Sequence, residues 1–118
     1  MSTRQEIGKW GETVASEYLT RQGFTVLERN VRTPYGEIDL IARLGDLLVF
    51  VEVKARTSRQ YGYPEEAITC RIQAHLRSSV EYYIQELSDL DSDWRVDAIS
   101  IEGVPGKEPI ITHFENVI

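Results

Sequence analysis

The residues best suited to chemistry are three carboxylates and one lysine in a single short stretch: Glu37, Asp39, Glu52 and Lys54. Two apolar runs in this stretch, GEIDLIARLGDLLVFVEVK, flank Gly45-Asp46. A two-residue loop that begins with glycine is typical of a type II′ hairpin turn. With that loop, Asp39 faces Glu52 and Glu37 faces Lys54. Because alternate side chains of a strand share a face, all four are predicted to project to one side.

The opposite face of the predicted hairpin is apolar and is expected to join the core: Ile38, Leu40, Val49, Val51 and Val53. On the charged face, two carboxylates directly opposite each other repel unless a cation joins them. Hard oxygen ligands suit Mg²⁺ or Mn²⁺, so Asp39, Glu52 and the Val53 carbonyl are the predicted metal ligands. Lys54 would place a water or stabilise charge on a phosphate. Glu37 is expected to support these ligands and not to bind the metal itself.

A structural ion cluster is the alternative that needs no metal. In that interpretation a buried Glu37–Lys54 pair flanks Asp39, as ionic networks in sheets can do. Three acids against one lysine are poorly balanced, which favours the metal site.

The elements that must position this hairpin follow from hydrophobic periodicity and turn residues. The predicted helices are residues 6–22 and a second helix from an N-cap at Thr69 to about 87, and the predicted strands are 24–32, 37–43, 47–55, 94–101 and 110–114. The order α-β-β-β-α-β-β predicts one mixed α/β domain over residues 1–118, with a central sheet flanked by helices. The hairpin belongs at the centre of that sheet.

Composition and charge narrow the class of protein. The chain has a net charge of −6, a single cysteine (Cys70) and no apolar run of membrane-spanning length. Residues 29–77 carry eight Arg/Lys against six Asp/Glu, whereas residues 78–118 carry two against nine. A locally basic surface around the hairpin is therefore compatible with nucleic-acid binding, although the overall charge argues weakly against it. With no signal-peptide core at the N-terminus, we expect a cytoplasmic protein.

The connection after the hairpin interleaves cations with aromatic rings: Arg56, Arg59, Tyr61 and Tyr63. Such a loop could touch phosphates and stack on bases, or it could be an ordinary surface loop. Two interpretations also stay open for Glu12, which is either a solvated helix carboxylate or part of the site. Asp97 is expected to pair with Arg95 or to cap, and His113 to have an ordinary partner.

Two segments carry a resemblance to a known group of nucleases. GEIDLIA and LVFVEVKAR resemble the PD-(D/E)xK core of restriction-endonuclease-like and Holliday-junction-resolvase-like proteins. More narrowly, the chain resembles the small bacterial YraN-like family. The resemblance extends to GKWGETVASEYLTRQGF, the Asn30–Arg32 segment, YGYPEEAIT and the closing HFENVI. It implies a restriction-endonuclease-like fold.

The resemblance also implies roles for individual residues. Asp39 and Glu52 match the two core acidic ligands, and Lys54 matches the core lysine. Glu12 matches a first-helix glutamate that assists the metal site, and Gln73 stands where related nucleases often have a polar helix residue near it. The chain departs from YraN-like sequences just before Gln73: Ile72 replaces a common lysine and Cys70 replaces a frequent proline.

These features predict a Mg²⁺- or Mn²⁺-dependent nuclease that hydrolyses phosphodiester bonds in nucleic acid, DNA more than RNA, including branched DNA. The alternative is a non-catalytic nucleic-acid-binding module that assists a partner enzyme, and a third option is a protein with an interaction role only. Because a chain this small has little surface with which to embrace a duplex, a homodimer would suit symmetric DNA.

Overall fold

A computed structural model describes residues 3–57, 70–87 and 93–118 of the protein. Its elements follow the predicted order, with bounds within two residues of those expected. The helices are Arg4–Arg21 (α1) and Cys70–Glu86 (α2), and the strands are Thr25–Thr33 (β1), Gly36–Leu44 (β2), Leu47–Arg56 (β3), Trp94–Glu102 (β4) and Ile110–Phe114 (β5). The predicted cap Thr69 and the predicted loop residues Arg59, Tyr61 and Tyr63 lie outside the described residues. Neither described helix has the length and apolarity needed to cross a membrane.

The five strands form one mixed sheet in the order β1-β2-β3-β4-β5. Strands β3 and β4 are parallel, and every other neighbouring pair is antiparallel. The connection between parallel strands must cross over a face of the sheet, and α2 lies in that connection. The mixed α/β architecture with the hairpin strands in the centre of the sheet is thereby confirmed.

Helices cover both faces of the sheet, so the protein has two hydrophobic clusters. On one face Ala15 and Leu19 of α1 pack on sheet residues that include Leu40, Val51 and Ile99. On the other face Leu76 and Val80 of α2 pack on a second set of sheet residues, Ile38, Ile41, Leu48, Phe50 and Val96. The prediction that one hairpin face is core and the other is wholly charged is therefore wrong. Because α2 covers the second face, the first half of β3 and most of β2 are apolar on both sides.

Besides a register shift between Val26 and Glu28, the alternation of faces breaks at a second level of the sheet, and Ile38 therefore lies on the other face from the one predicted. In β2, Ile38 belongs to the α2-side cluster while Leu40 belongs to the α1-side cluster. In β1, Arg29 reaches Thr13 of α1, whereas Val31 packs on the α2 side. Residues two apart in a regular strand share a face. In both strands, the side chains therefore switch faces at the intervening residue, which is Asn30 in β1 and Asp39 in β2. We call this switch the phase change. The two residues stand opposite each other, between the pairs Arg29–Leu40 and Val31–Ile38.

Gly11 lets α1 lie directly on β3. A Cβ built on Gly11 would stand 2.4 Å from Cβ of Ala55, a distance that real side chains do not adopt. We expect Gly11→Ala to lower the free energy of unfolding by about 1–3 kcal/mol, because the helix must shift from the sheet. Gly8 is the matched control, since a Cβ there meets nothing within 4 Å. Gly8→Ala should stabilise the helix by about 0.5–1 kcal/mol. Urea unfolding of both variants checks the pair, and equal stability of the two would contradict the close contact.

Candidate metal centre

The hairpin has the predicted register near its turn but opens toward its far end. Leu44 pairs with Leu47 across Gly45-Asp46, and the pairing continues to Leu40 and Val51. The predicted next pair, Asp39 with Glu52, is not part of the ladder. Instead the Asp39 carboxylate enters the gap between the strands, where Val53 N–H donates to its Oδ2 at 2.8 Å. At the level of the candidate site, the Val53 N–H is therefore bonded to the Asp39 side chain and not to the backbone of β2.

The environment of Asp39 disfavours a negative charge. Burial, and after it the nearby carboxylates of Glu52 and Glu12, together raise the pKa of Asp39 to about 8, against the lowering effect of the Val53 N–H. Glu52 also makes a hydrogen bond to the Asp39 side chain, which is favourable only while one of the two carboxyls keeps a proton. Because the ionised form of Asp39 is disfavoured here, a cation beside it would stabilise that form.

Three acids from two elements converge at this point. Carboxylate oxygens of Glu12, Glu37 and Asp39, here called the acidic cluster, all lie within 4.8 Å of one another. Glu12 is half-buried and faces the cluster, which favours the interpretation of Glu12 as part of the site. Burial raises the pKa of Glu12, and the charges of Glu37 and Glu52 add to that effect.

Asn30 is the residue at this site that the sequence analysis missed. With its amide nitrogen turned to the carboxylates, which gives both amide atoms compatible partners, it donates to Glu37 Oε1 at 2.8 Å and to Glu12 Oε1 at 3.0 Å. A signal was present in the sequence. Asn30 lies inside the predicted strand 24–32, where asparagine is uncommon, and asparagine tolerates a left-handed backbone better than most residues.

Lys54 has a different partner from the one predicted. Its ammonium nitrogen lies 3.3 Å from Glu52 Oε1, on the same strand. Glu37 instead stands opposite Arg32 of β1 and is exposed. The predicted Glu37–Lys54 pair, and with it the alternative of a buried structural ion cluster built on that pair, is wrong because β2 and β3 separate before this level. Lys54 itself is 42% exposed, so its charge can reach a solvent-borne ligand.

The donor set at the strand gap fits a hard divalent cation. Carboxylates of Asp39 and Glu52 are in contact, and Val53 turns its backbone toward the same gap. Because the N–H and C=O of one strand residue point toward the same neighbouring strand, the Val53 carbonyl is directed there too. Two carboxylates and a carbonyl, completed by water, are ligands that Mg²⁺ and Mn²⁺ accept.

Two residues predicted to contact nucleic acid are engaged within the protein. Arg56 lies 3.8 Å from Glu102 Oε1 and is largely buried. Gln73 donates through Nε2 to the carbonyl of Val117 at 2.6 Å. Neither side chain reaches the acidic cluster by any described contact. The other two predicted contacts, Arg59 and Tyr61, are outside the described part of the chain.

A second polar network, around buried Asp97, supports the fold. Arg95 donates to both Asp97 oxygens at 2.9 and 3.0 Å, and His113 Nε2 lies 2.8 Å from Oδ2. Burial alone would raise the pKa of Asp97, but the hydrogen bonds of His113, Arg95 and the Asn116 N–H together hold it below the usual range. The predicted pairing of Asp97 with Arg95 and an ordinary partner for His113 are confirmed. Through His113 and the Asn116 N–H, this network connects the C-terminal residues to Asp97 of β4.

Comparisons with known proteins give one consistent result. Residues 11–101 match the model of a family described as "Uncharacterised protein family UPF0102". A UPF0102 protein of Leifsonia xyli is 39% identical over 118 residues, which is all of both chains. Another from Renibacterium salmoninarum is 40% identical over 99% of both chains. A third, from Syntrophotalea carbinolica, is 40% identical over 94% of this chain and 89% of its own.

Proposed function

The chain belongs to the family UPF0102, and for this member of it we propose a metal-dependent nuclease that hydrolyses phosphodiester bonds in nucleic acid in the cytoplasm. The observation that carries the proposal is the carboxyl of Asp39, held between two separating strands against Glu52 and with Glu12 and Glu37 close to it. A carboxyl with a pKa raised to about 8 by its surroundings is a costly feature to keep without a cation to bind.

Each residue of the gap has a distinct task in this proposal. Asp39, Glu52 and the Val53 carbonyl hold Mg²⁺ or Mn²⁺. When bound, such a cation polarises a phosphate oxygen and acidifies a water. Lys54 contacts Glu52 from the solvent side, where its ammonium group orients the attacking water and stabilises negative charge that develops on the phosphate.

The acidic cluster adds two further acids on the α1 side of Asp39. Glu12 is brought there by a helix that Gly11 allows close to β3, and Glu37 by the phase change in β2. We propose that Glu12 assists the metal site and Glu37 supports it. The mixed sheet with a carboxylate at the opening between its central strands also supports the finer proposal of a restriction-endonuclease-like fold.

A second candidate is a nucleic-acid-binding module that does not cut. The observation that favours it is Ile72, which stands where YraN-like chains commonly have a lysine, so this position of α2 lacks a cation that could assist cleavage. Such a module would keep a salt-dependent affinity for nucleic acid without any need for the metal.

A panel of substrates distinguishes the two candidates. The purified protein is incubated with single-stranded, duplex, flapped and four-way DNA and with RNA, in Mg²⁺, in Mn²⁺ and in EDTA. We expect metal-dependent cleavage of at least one substrate, DNA before RNA, and its loss in Glu52→Gln. Cleavage that persists in EDTA or in Glu52→Gln would overturn the site. Binding without cleavage, at any metal concentration, would favour the module.

A further inference from the structure

Asn30 has a backbone conformation that is unusual for its place in a strand. Its φ is +55°, and among the described residues Asn116 is the one other non-glycine residue with a positive φ. The left-handed region is disfavoured by roughly 1 kcal/mol or more for residues with a Cβ. The break lies directly opposite Asp39, where β2 also changes phase. Strain of this kind collects at functional sites, where the surrounding structure maintains it.

The side chain of Asn30 joins two elements, α1 and β2, at the level of the acidic cluster. Its amide donates to Glu12 of α1 and to Glu37 of β2. The left-handed backbone does not by itself explain an asparagine at this position, because glycine adopts that conformation without strain. The amide adds a neutral double donor that holds two like-charged carboxylates near one another, within 4.8 Å of Asp39. Without it, Coulomb repulsion would separate the flexible Glu12 and Glu37 side chains.

We infer that Asn30 is a positioning residue of the metal centre. Its backbone turns the amide to the α1 side, and its two hydrogen bonds set Glu12 and Glu37 in place beside Asp39 before a cation arrives. The inference rests on the proposed function and deepens it, since it assigns the placement of the two supporting acids beside the ligands to a residue that binds neither metal nor substrate. Residues outside the ligand set that hold the surroundings of a metal in place commonly contribute about 10- to 100-fold in metal affinity.

Asn30→Gly tests the inference cleanly, because glycine keeps the backbone conformation and removes only the amide. We expect Mn²⁺ affinity, measured by isothermal titration calorimetry, to fall by about 10- to 100-fold. The thermal midpoint without metal should stay the same or rise, since the strain at φ +55° is relieved. The activity of the variant should recover at high Mn²⁺, so that the metal concentration for half-maximal rate changes more than kcat does.

Asn116→Gly is the matched control, because Asn116 has the same backbone conformation but contacts Asp97. It should leave Mn²⁺ affinity unchanged. Wild-type affinity in Asn30→Gly would overturn the positioning role and leave the nuclease proposal standing. An affinity loss that Asn116→Gly shares, or that comes with a lower thermal midpoint, would reduce Asn30 to a structural residue. A wild-type protein without Mn²⁺ affinity would overturn the proposed function and this inference together.

Discussion

Asp39→Asn is expected to abolish divalent-metal binding and, at pH 8, to stabilise the metal-free protein. In the folded chain burial and the neighbouring Glu52 raise the pKa of Asp39 to about 8, whereas an aspartate in an unfolded chain has a pKa of about 3.9. The folded state therefore keeps a proton that the unfolded state releases, and the contribution of Asp39 to stability falls as the pH rises from about 4 to about 8. Asparagine cannot ionise, so it escapes this loss.

The amide that replaces the carboxyl suits both neighbours. Its oxygen can accept from Val53 N–H, and its nitrogen can donate to Glu52, as a protonated Asp39 does. We expect the variant to exceed wild type in free energy of unfolding by on the order of 2 kcal/mol at pH 8, with the difference shrinking toward pH 4. Urea unfolding at a series of pH values, in EDTA, measures this difference.

Metal should reverse the ranking of the two proteins. Because a cation requires the ionised carboxylate, Mg²⁺ or Mn²⁺ should stabilise wild type at pH 8, bind with release of a proton and lose affinity as the pH falls below 8. Asp39→Asn should show none of these effects. Asp46→Asn, at the exposed hairpin loop, is the control and should behave as wild type. A wild-type stability that is the same from pH 5 to pH 8 would contradict the protonated Asp39.

The second large effect is expected from Lys54→Met, which should lower the rate of cleavage by at least about 100-fold while metal affinity changes little. Methionine keeps much of the length of the side chain and removes its charge. The Lys54 ammonium group lies 3.3 Å from Glu52 Oε1 and has no lone pair to offer a metal. In the proposal its charge orients the attacking water and stabilises negative charge on the phosphate. Since the pair is partly exposed, its loss should alter the free energy of unfolding by less than about 1 kcal/mol.

Single-turnover cleavage and Mn²⁺ titration of the same preparation separate the two properties. Lys107→Met removes an exposed positive charge from the connection between β4 and β5 and is the control for a general charge effect on nucleic-acid binding. It should retain most of the activity. Equal losses in the two lysine variants would indicate that Lys54 acts only through electrostatic attraction of the substrate. A loss of metal affinity in Lys54→Met would show that the lysine holds Glu52 in place and has no separate catalytic task.

Local signals in the sequence determined the element order, the element bounds and the hairpin turn. Gly45-Asp46 predicts the loop, and the register that follows from it holds as far as Leu40 and Val51. One local signal was overlooked: Thr3 and Glu6 form a capping box, which starts α1 two residues before the predicted position. Such features depend on residues within a few positions of one another, so they can be inferred without the fold.

Tertiary structure alone decided which acids meet. Counting cross-strand partners from the hairpin turn placed Glu37 against Lys54, and this counting assumes two regular, paired strands. It fails where Asn30 and Asp39 break the alternation of faces and β2 separates from β3. The acidic cluster then forms from a helix residue and two strand residues whose separation in the chain carries no periodic signal. The raised pKa of Asp39 is equally a property of the assembled fold, because it arises from burial and from the charges of Glu52 on β3 and Glu12 on α1.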